Sequence, residues 1–276
     1  MLVRPRVALC VLHGVGVQKK NWADRFVTTV RRTVARLHPE IDVYPVVVWW
    51  APITQRYEDR MVAHFRRGLG WNWLRRLVID FGGDIIAYQS PSQLSAPPSW
   101  TYRIVHWRID RRLRALRAML EQTGAAEPGI PVPLVVVAHS LGSVIFSDFV
   151  YDVQTGQAAG AFARRYGLAI RALYTVGSPL ALYAIRYPKL GFDRPIALDG
   201  GTWVNVLYPS DVLAYPLHPA SPAYADAVAE DWTLPARWWP PLVYRTPFAH
   251  LAYWNDPRFI RRVAAKLVRA ARPAVG

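Results

Sequence analysis

The sequence predicts an α/β fold, with a mostly parallel central sheet and helices on both of its faces. Three observations predict it. Short continuous apolar runs recur along the chain, as strands buried on both faces require. Segments of helical period separate these runs, and that alternation builds parallel sheets. One run, Leu134 to His139, leads straight into Ser140, which sits between Ala138 and Gly142 and is followed by a helix-like segment.

Val7 to Leu12 is the first buried strand, broken by His13-Gly14-Val15-Gly16. Trp22 to Leu37 has helical spacing, with Phe26, Val30, Val34 and Leu37 on the apolar side and Arg25, Arg31, Arg32 and Arg36 opposite or bordering it. Ile41 to Trp50, rich in β-branched and aromatic residues, is a second strand. Ala51 to Ser99 is irregular and reads as an amphipathic, cap-like helical insertion. Tyr57, Met61 and Phe65 form one stripe there; Trp73, Leu74, Leu77, Val78 and Phe81 form another. Trp100 to Leu120 is a strong helix, with Val105, Ile109, Leu113, Leu116 and Leu120 on one face and arginines on the rest. Gly124 to Pro133 is the loop before the Ser140 strand, and Leu141 to Val153 begins the next helix. Ala169 to Val176 and Trp203 to Leu207 are further strands, and Leu242 to Arg245 the last. Asp256 as N-cap and Pro257 at the first helical position open a terminal helix. No repeat, low-complexity tail or linker is visible, so residues 1–276 read as one domain with the insertion at about 51–99.

The chain has 276 residues and is 52% hydrophobic, enough for a sizeable core. Its 12 Trp and 14 Tyr exceed what one core takes up, so some are expected on a cleft or surface patch. Cys10 is the only cysteine, which excludes an internal disulfide and a multi-Cys metal site; it reads as a small buried hydrophobe. The first residues lack the small-residue cleavage site of a secretion signal, and the longest apolar stretch contains His139, Ser140 and Asp148. A soluble, cytoplasmic protein is expected. The net charge of +15 fits solvated helix faces or attraction to anionic surfaces.

A serine at a tight strand-to-helix turn is presented as a nucleophile, and the turn tolerates only small flanking residues. A serine hydroxyl needs a base within hydrogen-bond reach, and the base needs a carboxylate to fix its tautomer. In a parallel sheet both belong on loops at the carboxyl ends of later strands. Asp211, just past Trp203 to Leu207, fits the acid. Asp193 and Asp199 look like loop residues, whereas Asp226, Glu230 and Asp231 stay open as rivals. His250, after the last expected strand, fits the base. His38, His64 and His106 lie on expected helices, and His218 is the serious rival. His139, next to Ser140, is expected to point away from the shared cleft. Backbone N–H groups must receive the developing acyl oxyanion. Leu141, directly after the nucleophile, supplies one, and Gly14 or Val15 in the turn after the first strand supplies the other. His13 is expected to brace that turn. Ser178, after Gly177, is held out of elbow geometry by Pro179.

The His-Gly turn after the first strand, the Ala-His-Ser-Leu-Gly elbow, the late acid and the late histidine together resemble the α/β-hydrolase fold, in its lipase and esterase-like branch. Thr175-Val176-Gly177-Ser178-Pro179 is also similar to the strand that follows the elbow helix in many lipases. The resemblance spans Val7 to about Arg262. It departs from the usual pattern at Ala138, which replaces a glycine, and over Ala51 to Ser99, which matches no motif. It implies a serine hydrolase acting on a carboxylic ester through an acyl-enzyme, with Ser140, Asp211 and His250 as the triad.

A dinucleotide site is disfavoured because Lys19 stands where the third glycine of the fingerprint belongs. No P-loop is present, and the scattered histidines lack metal-ligand spacing. No cofactor and no metal are expected. Trp49, Trp50, Trp71 and Trp73 are expected to cap an apolar cleft, which points to an ester with an apolar group. The expected partners are a small-molecule or lipid ester and an anionic membrane surface at the basic helices; no nucleic-acid recognition motif is visible. The competing class is a hydrolase fold without activity, retained to bind a membrane or an acidic partner.

Overall fold

The computed structural model describes residues 4–14, 19–53, 88, 99–186, 195–235 and 247–272. In chain order its helices and strands are β1 (Arg6–Leu12), α1 (Asp24–Leu37), β2 (Asp42–Val48), α2 (Trp100–Gln122), β3 (Val132–His139), α3 (Leu141–Gln154), α4 (Ala161–Tyr166), β4 (Leu168–Val176), α5 (Leu180–Arg186), β5 (Thr202–Leu207), α6 (Pro222–Ala227), β6 (Glu230–Thr233) and α7 (Pro257–Ala271). The strands form one sheet in the order β2-β1-β3-β4-β5-β6, and every neighbouring pair is parallel.

Strand alternation explains the continuous apolar runs. Ala8, Cys10 and Leu12 of β1 face the layer that holds α2 and α3, together with Leu134, Val136 and Ala138 of β3. Val7, Leu9 and Val11 face the layer that holds α1 and α7, together with Val135 and Val137. Both faces are covered, so neither set of side chains can be polar. Cys10 lies among them, and burial pushes its thiol up to about 12.

The helices keep their expected faces. Val105, Ile109, Leu113, Leu116 and Leu120 of α2 are buried, and so are Phe259, Ile260, Val263 and Leu267 of α7. Asp256 caps α7 by accepting from Arg258 N at 2.8 Å, and Ser99 caps α2 by accepting from Tyr102 N at 3.1 Å. Leu37 differs from expectation: it ends α1 exposed, beyond the reach of the sheet.

Several elements were not anticipated. Pro133 lies inside β3 rather than in the preceding loop. The helices α4, α5 and α6 and the edge strand β6 are only four to seven residues long, too short for a periodic pattern to announce them. The expected strand at 242–245 lies outside the described residues, as do both apolar stripes of the 51–99 insertion. Of that insertion, Ala51–Ile53 forms a 3₁₀ turn, Tyr88 is buried, and Ser99 caps α2. Among the described residues no helix is long and apolar enough to cross a membrane.

One topological feature positions the site. The chain leaves β1 for β2 on one side and returns to β3 on the other. At such a switch point the loops beyond the carboxyl ends diverge and leave a crevice. His13 and Gly14 leave β1 there, and Ser140 leaves β3.

Candidate active site

Ser140 adopts φ 53° and ψ −131°, and it is the one non-glycine residue with positive φ among those described. Such strain persists only where surroundings enforce it, and it clusters at functional positions. Here the enforcement is visible. Ser140 N donates to Val176 O of β4 at 2.8 Å, and Ser143 N returns to Ser140 O at 2.9 Å to start α3. The side chain is thereby turned out of the sheet.

Two glycines make room for it. A Cβ on Gly14 would lie 2.4 Å from Ser140 Cβ, and one on Gly142 would lie 2.3 Å from His13 O. The turn after β1 therefore presses directly on Ser140 and on the first turn of α3. Alanine at Gly142 must displace main chain, because the obstructing atom is a carbonyl. On the hydrolase reading that the sequence resemblance implies, Gly142→Ala loses ~10²–10³ in turnover by shifting the expected oxyanion donors; on packing alone it loses about 1–3 kcal/mol of stability. Ester turnover and urea unfolding check both, and wild-type turnover in this variant would contradict the assigned packing.

Three side chains from distant positions meet. His250 Nε2 lies 2.9 Å from Ser140 Oγ, and His250 Nδ1 lies 3.0 Å from each oxygen of Asp211. All three residues are buried. Asp211 also accepts from Tyr253 OH at 2.7 Å and from Leu213 N at 3.1 Å. Burial acts to raise its carboxyl, but the bonds from His250, Tyr253 and Leu213 outweigh it and hold the group below the ordinary carboxylate range. The acid is thus ionised and faces Nδ1, which makes Nδ1 the protonated nitrogen and leaves Nε2 free to accept from Ser140.

The expected oxyanion elements are divided. Leu141 opens α3, where the first N–H groups of a helix have no intrahelical acceptor. Gly14 abuts Ser140, whereas Val15 lies outside the described residues. His13 braces the turn from behind. Its Nε2 accepts from Trp50 N at 3.0 Å and Ala51 N at 3.2 Å, so Nδ1–H donates to Gly14 O at 2.6 Å. Trp50 stacks on the imidazole at 4.8 Å and is fully buried. That corrects the expectation that Trp50 caps a cleft; it is core beneath the turn. Trp71 and Trp73 lie outside the described residues.

His139 is a second correction. Its ring lies against the His250 ring, 4.6 Å between centroids, and its Nε2–H donates to His250 O at 2.7 Å. It therefore faces the site and fixes the main chain of the base. Tyr253 was not anticipated either. Its hydroxyl accepts from Tyr208 N at 3.0 Å while donating to Asp211, which ties the acid to the loop after β5. Neither role has a sequence signature, since each depends on a partner from a remote part of the chain.

The rivals are occupied elsewhere. Asp231 Oδ1 accepts from Asn205 Nδ2 and Leu217 N, and its Oδ2 accepts from His218 N, so it holds the loop that carries Asp211. His218 bonds Val228 O. Glu230 pairs with Arg262, Asp199 accepts from Gly160 N, and Asp226 is exposed; Asp193 lies outside the described residues. Ser178 Oγ pairs with Ser143 Oγ at 2.6 Å and accepts from Leu180 N. Among the described residues no group of three or more His, Cys, Asp or Glu could hold a metal ion.

The two bracing histidines set a pH dependence. Burial lowers His13 from 6.5 to about 3, and burial followed by the neighbouring His250 lowers His139 to about 3. The unfolded chain takes up these protons below about pH 6.5, and the native state does not until about pH 3. Stability is therefore full above about 6.5 and falls below it, by ~1.4 kcal/mol per pH unit for each histidine. Asp211 acts in the same direction at lower pH, because its depressed carboxyl loses its contribution only as pH falls through the folded value. Urea unfolding should show a steep loss between about pH 6.5 and about pH 4.5, with His139→Gln removing one histidine's share of the slope. Flat stability over that interval would contradict this.

No family model matches this chain, and no curated protein does. A crystal structure of an uncharacterized protein from Pseudomonas aeruginosa is similar over 97% of this chain and 46% of its own, at 10% identity and a TM-score of 0.40. This chain thus spans less than half the length of that structure.

Proposed function

We propose that the protein is a serine hydrolase of the α/β-hydrolase kind, cleaving a carboxylic ester that carries an apolar group. One observation carries the reading: Ser140 Oγ stands 2.9 Å from an imidazole nitrogen whose opposite nitrogen is bonded to a buried carboxylate.

In the proposed reaction Ser140 Oγ attacks the acyl carbon and its proton passes to His250 Nε2. Asp211 stabilises the imidazolium through Nδ1–H. Charge moves to the carbonyl oxygen, which accepts from Leu141 N–H and from an N–H of the turn beginning at Gly14, with Val15 as its second member. Collapse breaks the C–O bond to the alcohol, which leaves with the proton from Nε2. Water then attacks the acyl group on Ser140, giving His250 a proton that returns to Ser140 Oγ as the acid departs. To test this, purified protein is incubated with p-nitrophenyl butyrate and quenched in acid. Turnover above the buffer blank and a butyryl adduct on the Ser140 peptide are expected. A folded protein that turns over no acetyl to octanoyl ester would favour the binding-module reading instead.

A membrane-peripheral role accompanies this reading, supported by α2. Trp100 and Trp107 are both more than half exposed and lie seven residues apart, on one stripe of the helix. The Arg111 guanidinium lies 5.3 Å from the Trp107 ring, and Arg103, Arg112 and Arg114 are exposed nearby. Indole rings fringed by arginine suit an anionic lipid interface. Vesicles containing phosphatidylglycerol should sediment the protein at low salt, with binding weakened by Trp107→Ala and by high salt. Equal behaviour with neutral vesicles would remove this part.

A further inference from the structure

The loops that carry the acid and the base also expose apolar side chains. Nine large apolar side chains are exposed among the described residues, and four of them lie on the segments that carry Asp211 and His250 or that follow β4. Val212, 61% exposed, directly follows Asp211, and Leu251, 56% exposed, directly follows His250. Tyr215, 38% exposed, donates its hydroxyl to Val212 O at 3.2 Å and its N–H to Ser178 O at 3.2 Å. Leu182, 44% exposed, lies in the first turn of α5, its N–H donating to Pro179 O at 2.9 Å in the loop after β4. That loop touches the triad itself, since a Cβ on Gly177 would lie 3.0 Å from Asp211 Oδ2 and 3.2 Å from His250 Nδ1.

The same stretches avoid charge. Gly177 to Ile185, Val212 to Leu217 and Thr246 to Asn255 contain no Lys, Arg, Asp or Glu, in a chain with 34 basic and 19 acidic residues. Scattered exposed leucines need no explanation, but an uncharged apolar cluster next to reacting groups is a binding surface. Within these three stretches, therefore, no charged side chain interrupts the exposed apolar ones.

We propose that Leu182, Val212, Tyr215 and Leu251 form an apolar collar on the Asp211–His250 side of Ser140, and that it receives the uncharged acyl chain of the ester. This rests on the proposed hydrolase reading and names the substrate class within it: medium-chain acyl esters without charge on the chain. An ester whose chain ends in a carboxylate is rejected, despite the net charge of the molecule, because the collar would desolvate that carboxylate without offering a partner.

The test compares kcat/KM for p-nitrophenyl acetate, octanoate and the octanedioate monoester, in wild type and in Leu182→Ser/Leu251→Ser. Both substituted positions are surface-exposed, and circular dichroism with urea unfolding verifies the fold. Wild type should prefer octanoate to acetate and to the octanedioate monoester by at least about tenfold, and the double variant should lower the octanoate-to-acetate ratio by roughly 5–30-fold, as expected for losing two partly buried apolar contacts. An unchanged ratio in the variant, or a wild type that favours the carboxylate-ended chain, would overturn the collar while leaving the hydrolase reading intact. No turnover of any ester, with no acyl adduct on Ser140, would overturn the hydrolase reading and the collar with it.

Discussion

Alanine at position 140 should abolish ester turnover, by ~10⁶-fold, with the fold retained. In the proposed reaction the hydroxyl forms the acyl bond, and neither neighbouring serine can replace it. Ser143 Oγ donates to Ser140 O or to Ser178, and Ser178 accepts from Leu180 N, so both are committed to the elbow's own hydrogen bonds. Residual activity would come only from oriented N–H donors and binding. The same position should show a trade between stability and chemistry. Ser140 holds φ 53° at a cost that a Cβ makes larger, and glycine removes that cost. Ser140→Gly should therefore be inactive yet more stable than wild type by about 1 kcal/mol, read as a raised urea midpoint. Turnover within tenfold of wild type in Ser140→Ala would move the nucleophile elsewhere.

Asparagine at position 211 should lower turnover by ~10⁴-fold, again without unfolding the protein. Asp211 receives His250 Nδ1–H, Tyr253 OH and Leu213 N–H. Leu213 N–H donates to Oδ1 and Tyr253 OH to Oδ2, so the oxygen of an amide of the same shape keeps one of these bonds only. Kept on Leu213 N–H, it leaves the NH₂ beside Tyr253 OH, which accepts from it. The same NH₂ then faces Nδ1 as a donor, which stabilises the tautomer with hydrogen on Nε2. That tautomer presents a proton to Ser140 where an acceptor is needed, and the imidazolium loses its counter-charge. The effect belongs in kcat rather than in substrate binding, so KM should change little. Activity within tenfold of wild type would show that the carboxylate is not the base's partner; Asp231, already bonded to Asn205, Leu217 and His218, could not take its place without dismantling the loop.

The parts legible in the sequence share one property: they are stated by residues close together in the chain. The apolar runs at Val7 to Leu12 and Leu134 to His139 became β1 and β3 because burial on both sheet faces demands uninterrupted apolar residues. The small-residue frame of Ser140 was readable for the same reason, since the turn is local. Chain order then pointed to Asp211 and His250, which stand within hydrogen-bond distance of each other. β6 was missed because its four residues, Glu230-Asp231-Trp232-Thr233, form a short edge strand that is only half-buried, with a polar pattern. Trp50 and His139 were misplaced because burial and direction depend on what arrives from elsewhere: the His13 ring above one, the main chain of His250 beside the other. Tyr253 carries no local signal, since its two partners are 42 and 45 residues away.

A fluorophosphonate probe reacts with a serine only when a base has made its oxygen nucleophilic, and therefore tests the proposed Ser140–His250–Asp211 relay without knowledge of the natural ester. Incubation of the purified protein followed by peptide mass spectrometry should place one adduct on the peptide bearing position 140, at a rate that collapses in Asp211→Asn. Folded, unlabelled wild-type protein, or an adduct on a different serine, would contradict the relay.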